Sequence, residues 1–228
     1  MRLRHVPVFA LASVALAVAA GAQDADRVVA DGGIKVSGWM GKADGSGKVE
    51  EAKLVTMGPG MHVTTGPAIA YWNPANTATG NYTVKATFTE REYMGLNNHA
   101  HPYGIVIGGN DMGTENQSYL YCAAYGNGNF IVRGFGPAPF AMNGGRQGQM
   151  HDAVNKAAGK GQPVTQEIAV TVSSDKVTCS INGTEVASYT KAELVTAGKL
   201  KSTDGVYGFR FGHNTDAHIA NFAMTKGM

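Results

Sequence analysis

From Tyr82 to Thr89 the chain alternates without a break, with Tyr82, Val84, Ala86 and Phe88 set against Thr83, Lys85, Thr87 and Thr89. A period of two puts the first set on one side of an extended strand and the second on the other. This stretch therefore reads as a half-buried antiparallel strand. The same grammar recurs in short β-branched and aromatic runs at residues 34–39, 53–57, 62–64, 68–72, 103–108, 119–125 and 129–135. It returns at residues 167–173, 176–182, 185–189, 206–212 and 218–224. Glycine, 31 residues in all, falls between the runs, where turns need it. Ser174-Asp175 and Asn182-Gly183 read as hairpin turns, Asn73-Pro74 as a strand break, and residues 191–196 as one helical turn. Residues 136–162 read as a long strandless loop, of the kind that covers or serves a site. Regular strand spacing with no βαβ rhythm predicts an all-β, antiparallel β-sandwich over residues 34–228.

The first 22 residues follow a different logic. Arg2, Arg4 and His5 are followed by an apolar run and then by Ala20-Gly21-Ala22, which has the form of a cleavage site. This is the pattern of a secretory signal peptide, cut near Ala22, and the run is too short for a membrane span. The expected mature protein is exported, periplasmic or extracellular. Its first residues, 23–33, are polar and expected to be disordered. Losing Arg2 and Arg4 leaves 17 basic and 17 acidic residues, so no electrostatic case exists for nucleic acid or an anionic membrane. The remainder, about 206 residues, suffices for one large β-domain.

Residues 119–135 sort the two faces of the sheet. With Gly126-Asn127-Gly128 as the turn, Tyr121 pairs with Arg133 and Tyr119 with Phe135. Leu120, Cys122, Ala124, Phe130 and Val132 then face the core. Tyr119, Tyr121, Tyr125, Ile131, Arg133 and Phe135 share the opposite face. That aromatic, cationic face has two readings. Sugar rings stack on aromatics while Arg donates to hydroxyls; alternatively, the tyrosines pack under residues 136–162, with Arg133 over Tyr121. Cys122 and Cys179 both point inward, which suits a disulfide as well as two buried thiols.

The segments Ala68-Ile69-Ala70-Tyr71-Trp72, Tyr103-Gly104-Ile105-Val106-Ile107-Gly108, Val177-Thr178-Cys179-Ser180-Ile181-Asn182-Gly183 and Gly205-Val206-Tyr207-Gly208-Phe209-Arg210-Phe211-Gly212 flank this hairpin. In that order they resemble the concanavalin A-like lectin/glucanase superfamily, in particular the laminin-G-like jelly rolls of secreted bacterial proteins. The resemblance implies a jelly-roll β-sandwich. It extends to 3-keto-disaccharide hydrolase domains, but no catalytic set from them matches residues here, so activity is carried by analogy alone. Retaining glucanases on this fold carry Glu-x-Asp-x-x-Glu on one strand, giving two carboxyl groups about 5 Å apart. No such run occurs here.

Other chemistry is sparse. His99-Ala100-His101 places two imidazoles on one side of an extended chain, and His213 or His218 stands near the ends of the last strands. Together they offer transition-metal ligands. Asp111 and Glu115 offer calcium oxygens in a loop that reads equally as a surface turn. Three functions follow as expectations. The first is a non-catalytic protein binding a carbohydrate or cell-surface polymer through Tyr119, Tyr121, Arg133 and Phe135, helped by His101 and Asn110, and needing no cofactor. The second is a glycoside-acting enzyme drawing on His99, His101, Asp111 and Glu92. The third is a structural subunit of an envelope complex, marked by a large exposed apolar patch.

Overall fold

A computed structural model describes residues 25–145 and 147–227. The signal sequence and its cleavage site lie outside the described residues. The first strands are β1 (Gly33–Ile34), β2 (Met40–Ala43), β3 (Ala52–Met57), β4 (Gly60–Thr65), β5 (Ile69–Ala78), β6 (Tyr82–Glu90), β7 (Tyr103–Asn110) and β8 (Ser118–Ala124). They are followed by β9 (Asn129–Phe135), β10 (Pro139–Ala141), β11 (Gln149–Met150), β12 (Val164–Val172), β13 (Lys176–Ile181), β14 (Thr184–Thr190), β15 (Gly205–Phe211) and β16 (Asp216–Lys226). One helical turn, α1 (Lys191–Leu194), is capped by Thr190 and Glu193 and closes the chain behind β14. Among the described residues, no helix is long and apolar enough to cross a membrane.

The strands form two sheets. One runs β1-β3-β4-β16-β6-β12-β13-β14, and the other runs β10-β9-β8-β7-β15-β5-β2 with β11 on β9. Apart from the parallel β1–β3 contact, every pairing is antiparallel. This is the expected β-sandwich. Between the sheets, Phe88 meets Tyr103, Phe209 and Phe211, and Trp39 stacks on Phe209 at 5.1 Å. The alternation in β6 turns Tyr82, Val84, Ala86 and Phe88 into this core, as its period requires. Cys122 on β8 and Cys179 on β13 form a disulfide that ties one sheet to the other, with Cα atoms 6.0 Å apart. Asn182 and Gly183 both take positive φ, 50° and 81°, the two left-handed residues of a tight hairpin between β13 and β14.

Three expectations needed correction. Residues 34–39 are not one strand: Gly38 takes a positive φ, the chain turns, and β2 begins at Met40. Asn73-Pro74 does not end its strand. The register of β15 against β5 jumps from Gly208↔Trp72 to Val206↔Thr77, and this irregularity absorbs the proline within β5. Residues 136–162 are not strandless, since β10 and β11 extend the sheet along the outer edge of β9. Residues 25–33 also make contacts with the sandwich. The Arg27 N–H donates to Asn214 Oδ1 at 2.8 Å, Asn214 Nδ2 donates to the Ala25 carbonyl, and β1 pairs with β3.

Candidate binding cavity on the outer sheet face

The hairpin register is the one its sequence implies: Tyr119↔Phe135, Tyr121↔Arg133 and Cys122↔Val132. Tyr119, Tyr121, Tyr125 and Ile131 consequently pack away from the main core, with Ala70, Val106 and Ala123, on the outer face of the sheet. Tyr119, Tyr121 and Tyr125 are buried there. β10 and β11 pair along the edge of β9, and between them the Gly145 carbonyl accepts from Arg133 Nη2 at 2.5 Å. Beside this segment lies a cavity of about 760 Å³, lined among others by Tyr121, Arg133, Phe135, Phe140, Lys42, Glu115, Asp44 and Arg210.

Arg210 forms a buried part of the cavity lining. Its neighbours Phe209 and Phe211 point into the core, so β alternation turns Arg210 to the outer face. In the pairing rows it lies beside Ala70 and Gly104, and Gly104 in turn pairs with Ala123. A Cβ on Gly104 would come within 2.0 Å of the Cys122 carbonyl, so only glycine fits at that point. Across this low floor the guanidinium reaches the rings of Tyr121 and Phe135, with its carbon 5.8 and 5.4 Å from their centroids. Two parallel hydrogen bonds join it to the Asp44 carboxylate, Nη1 to Oδ1 at 2.9 Å and Nη2 to Oδ2. Burial works against the guanidinium charge, and the Asp44 carboxylate paired with it supports that charge. Burial also raises the hydroxyls of Tyr119 and Tyr121, and pushes Tyr125 up to about 12. All three are neutral hydrogen-bonding groups at ordinary pH. Replacing Arg210 with Leu strands Asp44 and uncovers two rings. We expect a loss of about 2 kcal/mol, because Asp44 retains partial access to water, readable as a shift in the urea midpoint at unchanged m.

The structure distributes the sequence-predicted residues unevenly. Tyr121, Arg133 and Phe135 line the cavity. Tyr119 lies beneath them, fully buried, its ring 5.0 Å from that of Phe135. The cation over Tyr121 is Arg210, whereas Arg133 bonds to Gly145. Asn110 is outside the cavity, and its amide donates to the carbonyls of Gly108 and Asp204, which secures a turn. His101 is also outside, grouped with His99 and His213. Of the residues proposed for catalysis, His99 and His101 lie together and the acids lie elsewhere. Asp111 pairs with Lys201, while Glu92 lines a separate cavity of about 460 Å³ with Arg91, His62 and Asp216. Sequence reasoning missed Asp44 and Arg210. A lone arginine between two core phenylalanines was the available signal, since alternation alone places it on the tyrosine face.

No protein-family model matches the chain, and no curated protein does. Among solved structures, the chain is similar to the carbohydrate-binding module CBM66 from Bacillus subtilis, with a TM-score of 0.54 at 6% identity, covering 85% of this chain and 98% of that one. It is also similar to a Bacillus subtilis protein of unknown function with a galectin-like fold, with a TM-score of 0.55 at 11% identity, covering 82% of this chain and 89% of that one. At such identities the likeness concerns the fold alone, a jelly-roll β-sandwich.

Proposed function

We propose that this concanavalin A-like jelly roll is an exported, non-catalytic protein that binds a carbohydrate or surface polymer in the cavity lined in part by Arg210. One observation carries this reading. Two aromatic rings, a paired guanidinium and a second arginine line one cavity on the outer sheet face, where Phe135 and Arg133 are half-buried while Tyr121 and Arg210 are buried. Phe135 offers an apolar face to the C–H side of a sugar ring with Tyr121 beside it in the lining, while Arg133 and Lys42 donate to hydroxyl or carboxylate oxygens and Asp44 accepts. The similarity in fold to a carbohydrate-binding module supports the same reading.

Pull-down on a panel of insoluble polysaccharides, followed by titration with the best oligosaccharide, tests the proposal. Tyr121→Ala is expected to weaken binding at least about tenfold, equivalent to about 1.4 kcal/mol. Arg133→Ala, at the half-buried rim, should weaken binding with no change in melting temperature. Failure to bind every glycan class, or full affinity in both variants, would overturn the reading.

A further inference from the structure

A second group of side chains stands apart from that cavity. His99 and His101 alternate along the extended approach to β7, and His213 follows β15. The Gly212 N–H donates to the Pro102 carbonyl at 2.7 Å, which joins these two segments side by side. The three imidazoles come together: ring centroids are 4.3 Å apart for His99 and His101, 3.9 Å for His101 and His213, and 5.9 Å for His99 and His213. One ring nitrogen from each lies within 4.8 Å of the others. We propose that His99, His101 and His213 form a binding site for one divalent transition-metal ion of the zinc class.

The surroundings supply what such a site needs beyond its three donors. Nδ1 of His213 lies 3.0 Å from Asp26 Oδ1. An ionised carboxylate only accepts, so this nitrogen carries the proton and donates, and the Nε2 lone pair is left for a metal. The backbone on either side is held as well. Asn97 Nδ2 donates to the Asn214 carbonyl at 2.9 Å, and Asn214 grips residues 25–27 through its own amide. His101 and His213 are buried while His99 is exposed, so an ion reaches two preset donors from the side of the third. Around one zinc ion at roughly 2.0–2.1 Å, three imidazole nitrogens sit roughly 3.3 Å from one another. Small side-chain rotations cover the difference. An all-imidazole set suits zinc, cobalt, nickel or copper, and lacks the oxygen cage that calcium requires.

The test uses the mature protein without a histidine tag, titrated with zinc chloride and with cobalt chloride. One ion per chain, visible cobalt bands of tetrahedral type and a rise in melting temperature on loading are expected. His99→Ala, which changes an exposed side chain, should abolish saturable binding with the fold intact, and His213→Gln should do the same. Asp26→Asn should keep the stoichiometry and weaken affinity about 10- to 100-fold. Absence of saturable binding would overturn the proposal, as would equal zinc binding by His99→Ala or calcium binding in its place.

Discussion

Glu90→Gln should leave the protein markedly more stable than the native sequence at pH 8 and little different at pH 4. Glu90 is the last residue of β6, on the same side as Phe88, and is almost fully buried beside the Tyr103 hydroxyl. Burial pushes its carboxyl up to about 8, with the charge of Asp216 adding to the rise and Tyr103 opposing it. The unfolded chain releases this proton near the ordinary glutamate value of 4.5, whereas the folded chain keeps it until about pH 8. Between those limits the folded state holds the extra proton, so stability falls as pH rises and the full penalty is reached above pH 8. The interval corresponds to about 5 kcal/mol at most. For a chain of this size that is a difference of about 10 °C in melting temperature. Scanning calorimetry of both proteins from pH 4 to 9 reads it directly. Parallel curves would show that Glu90 is not the titrating group. Asp216 acts in the opposite window: His62 and Thr64 hold its carboxyl below the usual range, so its contribution is lost only as pH falls through that lowered value.

Removing the disulfide should have an effect of similar size. Cys122 and Cys179 are 57 residues apart in sequence, and the loop they close contains β9 to β12. Chain-entropy arguments assign a cross-link of that span about 4 kcal/mol. The Cys122→Ala, Cys179→Ala double variant should therefore melt about 10 °C lower than the oxidised protein, and reductant should shift only the latter. Equal melting of the two proteins with and without reductant would count against the bridge. The result also bears on export, because a reducing cytosol would withhold this stabilisation.

Much of the fold could be read from the chain because the informative signals were local. The alternation of β6 and the register of the Tyr119–Phe135 hairpin both follow from a period of two and a short turn. The Asn182-Gly183 turn needed only its own two residues. What escaped depended on distant partners. Pro74 was read as a break, since nothing near it reveals that β15 shifts register opposite. The edge strands β10 and β11 have little apolar pattern and exist because β9 offers them a ladder. The contacts that residues 25–33 make with Asn214 also span the chain. The site was legible by halves. Tyr121, Arg133 and Phe135 lie on one hairpin, whereas Asp44 and Arg210 reach the same hollow across 166 residues of sequence. His213 joins His99 and His101 for the same reason, because the segment after β15 lies beside the one before β7, which no local pattern announces.

The β14 strand has a consequence for solubility. It ends the first sheet, so one row of its backbone donors and acceptors has no strand beside it. An edge of this kind invites a second molecule to add on, strand to strand, and so to begin a fibre. Several features oppose that outcome: Glu185 and Thr190 are exposed along the strand, a register shift interrupts its pairing with β13, and the capped turn of α1 stops it after seven residues. At the other end of the same sheet, β1 is only two residues long and gives an incoming strand almost nothing to pair with. Such edges give a second copy of the chain little to add onto, strand to strand.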